Sequence, residues 1–277
     1  MSLPTNFFIG KGAKGPTPFN ISEFSNSYSI AITPSFYRGW LAHPNDTTKV
    51  LAPAGQSGDV PWYEYSMNPD GSFASKSSNA VFTLSFTDQG GSGGHRNAIP
   101  FRDGSGMLGT TWSEDALRRY QFPSNPFSYS GNPTIQQVGL LNYSISGSNG
   151  SWGMATNYDS ARDRVYFVRQ GANDSIAIID NFSTMSATSN GNAIVSLQGI
   201  SGMANTEFQG CEYDPKTDTL LMATVSGSNI ALIDVSTWSQ IGAQNTNLSG
   251  VYVQEVGIWK DYAYLIDNTS VRVATRS

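Results

Sequence analysis

The sequence predicts an all-β fold built from repeated units of about four short strands, and three observations predict it. The segment 153–180 recurs at 210–234: Tyr158-Asp159, three residues, Asp163 and Val165-Tyr166-Phe167 answer to Tyr213-Asp214, three residues, Asp218 and Leu220-Leu221-Met222. Further along, Ile176-Ala177-Ile178-Ile179-Asp180 answers to Ile230-Ala231-Leu232-Ile233-Asp234, so the two blocks repeat at offsets of 55 and 54 residues. Finally, the apolar runs are short and alternate with polar residues between turn signals, which is the pattern of strands and not of helices. Repeats of this length mark stacked or circular arrays of one supersecondary unit.

Taken in order, residues 1–26 hold Gly10, Gly12, Gly15, Pro16 and Pro18 among Phe7, Phe8, Phe19 and Phe24, and are read as an N-terminal extended arm. Aromatic content of this kind is foreign to a disordered tail. Two readings stand for the arm: it docks on a partner, or it packs over the domain that follows, residues 27–277. Residues 28–33 alternate apolar and polar and form a lone strand. The first unit runs from Gly39-Trp40-Leu41 through Lys49-Val50-Leu51-Ala52 and Trp62-Tyr63-Glu64-Tyr65 to Val81-Phe82-Thr83-Leu84, with Asn68-Pro69-Asp70-Gly71 as an emphatic turn. A second, less regular unit places strands at 97–101, 107–112 and 117–122. The third and fourth are the two matching segments. A fifth runs from Gly257-Ile258-Trp259 through Tyr262-Ala263-Tyr264-Leu265-Ile266-Asp267 to Ser270-Val271-Arg272-Val273, and stops after its third strand. Leu41, Ile99, Ala155, Glu212 and Gly257 are then rough equivalents, spaced 58, 56, 57 and 45 residues apart.

Tyr213-Asp214-Pro215-Lys216-Thr217-Asp218-Thr219-Leu220 followed by Ile230-Ala231-Leu232-Ile233-Asp234 resembles the blades of β-propeller repeat proteins of the NHL-like and YVTN-like kind. The likeness is good over 205–240, nearly as good over 153–186, and a matter of pattern elsewhere. It implies a single β-propeller of about five four-stranded blades and names no function. A last blade with three strands leaves an open edge, so the ring is expected to be closed by the N-terminal strand at 28–33 pairing with the C-terminal blade.

Composition narrows the functional classes. Of 277 residues, 39% are hydrophobic, enough for a core, but only 13% are charged, and the formal net charge is −5. Nucleic-acid binding needs clustered Lys and Arg, and Arg118-Arg119 is the one close basic pair. No run approaches the roughly 20 apolar residues of a membrane-spanning helix, and the first residues do not read as a secretory signal peptide. Neither nucleic acid nor membrane insertion is expected. Cys211 is alone, so no intrachain disulfide is expected, and its neighbours make it a buried thiol filling space.

Chemistry is sparse. With only His43 and His95, a multi-histidine metal centre is excluded. His43, ahead of Pro44, is expected at a surface turn. The loop Gly90-Gly91-Ser92-Gly93-Gly94 lacks the Lys and helix of a phosphate loop and the helix of a nucleophile elbow. Asp159 and Asp214 suit turns in which a carboxylate accepts from its own backbone. Asp59, Glu64, Glu207, Glu212 and Glu255 fall near strand ends, where a glycoside hydrolase would gather two or three acids in its channel. No catalytic residue, metal or cofactor is therefore assigned. The Trp residues, about one per unit, are expected between blades. Phe7, Phe8, Phe19 and Trp112 are the candidate binding residues.

The neutral polar surface, the lone Cys and the aromatic arm look similar to those of bacteriophage tail and capsid appendage proteins. That resemblance implies a non-enzymatic binding or assembly component of a virion or extracellular particle, contacting other virion or surface proteins through the arm. The alternative is a glycan-binding or glycoside-hydrolase-like propeller of a bacterial surface, and a cytoplasmic location also stands open.

Overall fold

The computed structural model describes residues 17–25, 27–28, 39–43, 46–54, 59–85, 95–100, 106–111, 116–121, 134–142, 152–159, 161–170, 175–180, 193–196, 208–224, 229–245, 248, 253–267 and 270–276. A 3₁₀ turn, Ile21–Ser25, precedes β1 (Ser27–Tyr28). The first unit contains β2 (Leu41–Ala42), β3 (Lys49–Pro53), β4 (Val60–Met67), β5 (Phe73–Lys76) and β6 (Phe82–Ser85). The second contains β7 (His95–Pro100), β8 (Gly106–Thr111), β9 (Ala116–Gln121) and β10 (Thr134–Asn142). β11 (Trp152–Asp159), β12 (Arg164–Gln170), β13 (Ser175–Asp180) and β14 (Ala193–Ser196) make the third. The fourth has β15 (Phe208–Asp214), β16 (Thr219–Thr224), β17 (Ile230–Asp234) and β18 (Ser239–Asn245), and the fifth has β19 (Val253–Trp259), β20 (Tyr262–Asp267) and β21 (Val271–Thr275).

The third and fourth units are antiparallel sheets in strand order, and the fifth runs β19-β20-β21 and then β1. Ser27 pairs with Arg272 and Tyr28 with Val271, so the N-terminal strand supplies the fourth strand of the last blade, as the alternation at 28–33 predicts; residues 29–33 lie outside the described residues. The first strands of neighbouring units lie against one another, β7 on β11, β11 on β15, β15 on β19 and β19 on β2. This is the β-propeller arrangement.

Two features depart from the expected plan. β5 is an added strand on β4, formed where Gly71, at φ 82°, turns the chain back through Gly71 N–H to Asn68 O. The first and second units are also not separate sheets, because β6 pairs in parallel with β10 and joins them. An outer strand carries unpaired backbone groups on its free edge, and pairing two such edges satisfies both.

The turn aspartates explain the repeat. Asp159 Oδ1 accepts the N–H groups of Ala161 and Arg162, Asp214 Oδ1 accepts that of Lys216, and Asp234 Oδ1 accepts those of Ser236 and Thr237. Four residues after each comes a left-handed residue: Asp163 (φ 53°), Asp218 (φ 55°) and Trp238 (φ 53°). A short side-chain acceptor followed by one left-handed position closes the hairpin. The recurrence at Asp159 and Asp214 is thus turn chemistry.

Cores fill the seams between blades. Tyr166, Ile176 and Ile178 of the third unit meet Cys211, Tyr213, Leu220 and Met222 of the fourth. Leu221, Ala223, Ile230 and Leu232 meet Val253, Val256, Ala263 and Leu265 of the fifth. Between the fifth and first units, Trp40 stacks on Tyr264 at 4.9 Å between centroids, and Trp40 Nε1 donates to Ile258 O. Trp40 and Trp259 are buried at this seam, and Trp238 packs partly buried beside Tyr166 of the neighbouring blade, whereas the buried Trp62 stacks on Phe82 within its own unit.

Candidate functional site

Four of the first strands carry a β-bulge at the same place: the register skips between His95 and Asn97, Gly153 and Ala155, Phe208 and Gly210, and Val253 and Glu255. A bulge bends and twists its strand and changes where the next side chain points. Glu255 directly follows it in the fifth unit, and in the fourth Gly210 takes that place with Glu212 two residues further on. At Gly210, β15 and β19 approach so closely that an added methyl would overlap Val256 Cγ2 and sit 2.7 Å from the Val256 nitrogen.

Glu255 is fully buried, and its Oε1 accepts the backbone N–H of Val256 at 2.9 Å. Glu212 is partly buried. Burial first, and the Asp214 charge second, raise its pKa well above the ordinary carboxyl range. Cys211 is completely buried, and burial followed by the charges of Glu212 and Glu255 pushes its thiol up. A thiol so held stays protonated and unreactive, in keeping with a space-filling role.

The other acids are engaged elsewhere. Asp59 accepts from Ser85 Oγ at 2.7 Å, and Glu64 pairs with Lys49 at 2.8 Å. Glu207 lies outside the described residues. His43 is not at the surface: it is 8% exposed, its backbone N–H donates to Lys49 O, and its Nε2 lies 3.8 Å from Glu64. The hairpin carrying it folds back onto β4, a contact that the local turn composition does not encode. Among the described residues no group of three or more His, Cys, Asp or Glu side chains is placed to hold a metal.

At the turns between first and second strands, charges bridge one blade to the next. Arg162 donates to both oxygens of Asp218, each at 2.7 Å, as well as to Asp159 and the Tyr213 hydroxyl. Lys216 reaches Asp261 at 2.7 Å. Arg276 makes a two-pronged bond to the buried Asp214 and a third to Asp261. These bonds hold Asp218 and Asp261 below the usual carboxylate range, through Arg162 and Lys216 respectively.

Of the candidate binding residues, Phe7, Phe8 and Trp112 lie outside the described residues. Phe19 is 3% exposed, with the Arg276 guanidinium 4.0 Å from its ring centre. Phe19, Ile21 and Phe24 join the core of the fourth and fifth blades, while Asn20 N–H donates to Thr275 O and Thr275 N–H to Glu23 Oε2. Of the two readings of the arm, residues 17–25 follow packing on the protein's own propeller.

No family model matches the chain, and no curated protein matches it. Solved structures do. The chain is similar to glutaminyl cyclase of Myxococcus xanthus, with a TM-score of 0.53 and 13% identity over 91% of this chain and 96% of that one. It is similar to the PQQ-bound form of aldose sugar dehydrogenase from Streptomyces coelicolor, with a TM-score of 0.53 and 11% identity over 96% and 99%. A putative 6-phosphogluconolactonase from Bacteroides uniformis aligns with a TM-score of 0.50 and 11% identity over 84% of this chain and 65% of that one. At such identities the likeness is one of fold, and it supports the β-propeller.

Proposed function

We propose that this protein is a non-enzymatic binding propeller, a structural or host-attachment component of a virion such as a phage tail or capsid appendage. The observation that carries this reading is the use made of the charged repeat residues: Arg162, Asp214, Asp218, Lys216, Asp261 and Arg276 bind one another across blade seams. Such bonds make a rigid scaffold, and recognition falls to what does not repeat. Phe7 and Phe8 of the arm would contact neighbouring virion or surface proteins, and Trp112 would lie on a binding face. The sparse charge and neutral polar surface suit a particle-borne protein. Quantitative mass spectrometry of particles purified from a culture producing the protein is expected to find it at a fixed ratio to the main structural proteins. Its absence from such particles would overturn this reading.

One observation favours a second reading, a glycan-binding or glycan-processing propeller. Glu212 and Glu255 stand on adjacent first strands, and Glu212 is disposed to keep its proton, as a general acid must. Two of the structural neighbours are named for chemistry on sugars or sugar lactones. Saturable binding of a soluble glycan, lost in Glu212→Gln, would move the assignment to this class.

A further inference from the structure

We propose that His43 and Glu64 form a pH-sensitive latch at the seam between the first and fifth blades: on mild acidification the His43 imidazole takes up a proton and closes on the Glu64 carboxylate. The latch stands apart from both readings of function above and needs neither. His43 follows β2, and its backbone N–H donates to Lys49 O at 3.1 Å, which places it beside Lys49 at the end of the β2–β3 hairpin. Glu64, on β4, stands opposite Leu51, two residues from Lys49 and on the same face of the sheet. There His43 Nε2 lies 3.8 Å from Glu64 Oε2, beyond a hydrogen bond but within reach of an ion pair.

The charges around His43 favour that proton. Lys49 Nζ binds the other oxygen of Glu64 at 2.8 Å and Asp46 at 3.3 Å. Glu64 raises the Lys49 pKa and Thr48 holds that of Asp46 down at about 2, so both stay charged through the neutral range. Two carboxylates and one ammonium leave this group with a negative charge in excess, which an imidazolium cancels. Burial opposes a charged imidazole, but the same low exposure of His43 spares its attraction to Glu64 from screening by salt. Among the other charges of neighbouring elements, Lys76 on β5 lies on the opposite face over the Tyr63 ring. In the fifth blade Lys260 lies over Trp259, and Asp261 is bound to Lys216 and Arg276.

The hairpin that the latch fixes is part of the first blade's side of the seam. Trp40, just before β2, stacks on Tyr264 and donates to Ile258 O, and Thr47 O, in the hairpin turn, accepts Trp259 Nε1. Binding His43 to Glu64 ties this hairpin to β4, and the turn after β4 accepts the Tyr262 and Tyr264 hydroxyls at Pro69 O and Gly71 O. Proton uptake at one buried imidazole thereby joins two parts of the first blade that both grip the fifth.

The test follows the ring C–H signals of the chain's two histidines, His43 and His95, by NMR in the folded full-length protein, with His95→Gln identifying the His43 signal. His43 is expected to titrate at higher pH in the folded protein than in urea, and Glu64→Gln should bring its midpoint down. A folded midpoint at or below the urea value, or one that Glu64→Gln leaves in place, overturns the proposal. Thermal unfolding gives a second readout. A proton held more tightly in the folded state stabilises it fully below the ordinary imidazole range, about pH 6.5, and that gain is lost as pH rises through the folded midpoint. Wild type should therefore gain roughly a few degrees of melting temperature over His43→Gln on going from about pH 8 to about pH 5. A difference between the two proteins that is the same at both pH values also overturns the proposal.

Discussion

Gly210 and Gly242 separate two reasons for glycine in one blade. At Gly210 a Cβ would meet the Val256 side chain and backbone, and backbone cannot step aside; at Gly242 there is open space, but φ is 67°. Gly210→Ala is therefore expected to cost about 1–3 kcal/mol by overpacking and Gly242→Ala about 1 kcal/mol by backbone strain alone, both read by urea unfolding. Glu212 gives a pH-dependent prediction. In the folded state it holds its proton more tightly than in the unfolded chain, so its contribution to stability is full below the ordinary carboxyl range, about pH 4, and is lost as pH rises through the folded-state value. Glu212→Gln should match wild type at low pH and become relatively stabilised above that range. Asp218 and Asp261, with lowered pKa, act in the opposite sense, so the two proteins are compared at each pH. A difference independent of pH would show that Glu212 is not held protonated.

The hairpins between first and second strands show what a sequence displays of an element and what it conceals. Asp159 and Asp214 were legible because only a short side-chain acceptor closes this turn well, and such a need leaves the same residue at the same place in each copy. The left-handed position is Asp in these two turns, Trp238 between β17 and β18 and Lys260 in the shorter β19–β20 turn, so residue type hides it. Lys260, at φ 56°, has no carboxylate duty, whereas Asp218 also binds Arg162 and Tyr213. Lys260→Gly is expected to raise stability by about 0.5–1 kcal/mol and Asp218→Gly to lower it, both read by thermal unfolding; equal shifts of one sign would contradict this division. The bulges were not legible, since the residues the register skips, Arg96, Met154, Gln209 and Gln254, share no turn chemistry. Nor was β5, whose Phe73-Ala74-Ser75-Lys76 is short, with Ala74 and Ser75 exposed, or the pairing of β6 with β10, which joins edges far apart along the chain. Glu212 and Glu255 could be picked out by position, but the proton affinity of Glu212 comes from packing that no local stretch of sequence describes.

At the scale of the whole molecule, residues 17–28 and the last strand meet on the last blade. β1 pairs with β21, Phe19 bridges to Arg276, and Phe19, Ile21 and Phe24 fill the core shared by the fourth and fifth blades. The fifth blade also bonds to the first, where Tyr262 and Tyr264 donate to Pro69 O and Gly71 O and Trp259 Nε1 donates to Thr47 O. Alternation and the missing fourth strand made this meeting predictable; the burial of Phe19 and the bridge through Arg276 required the fold. The account rests on the N-terminal segment completing the last blade, and deleting residues 1–28 tests it most directly. Thermal unfolding followed by tryptophan fluorescence should change from one cooperative transition to a broad, early loss of structure, whereas a truncated chain that melts as sharply and as late as the full protein would contradict it.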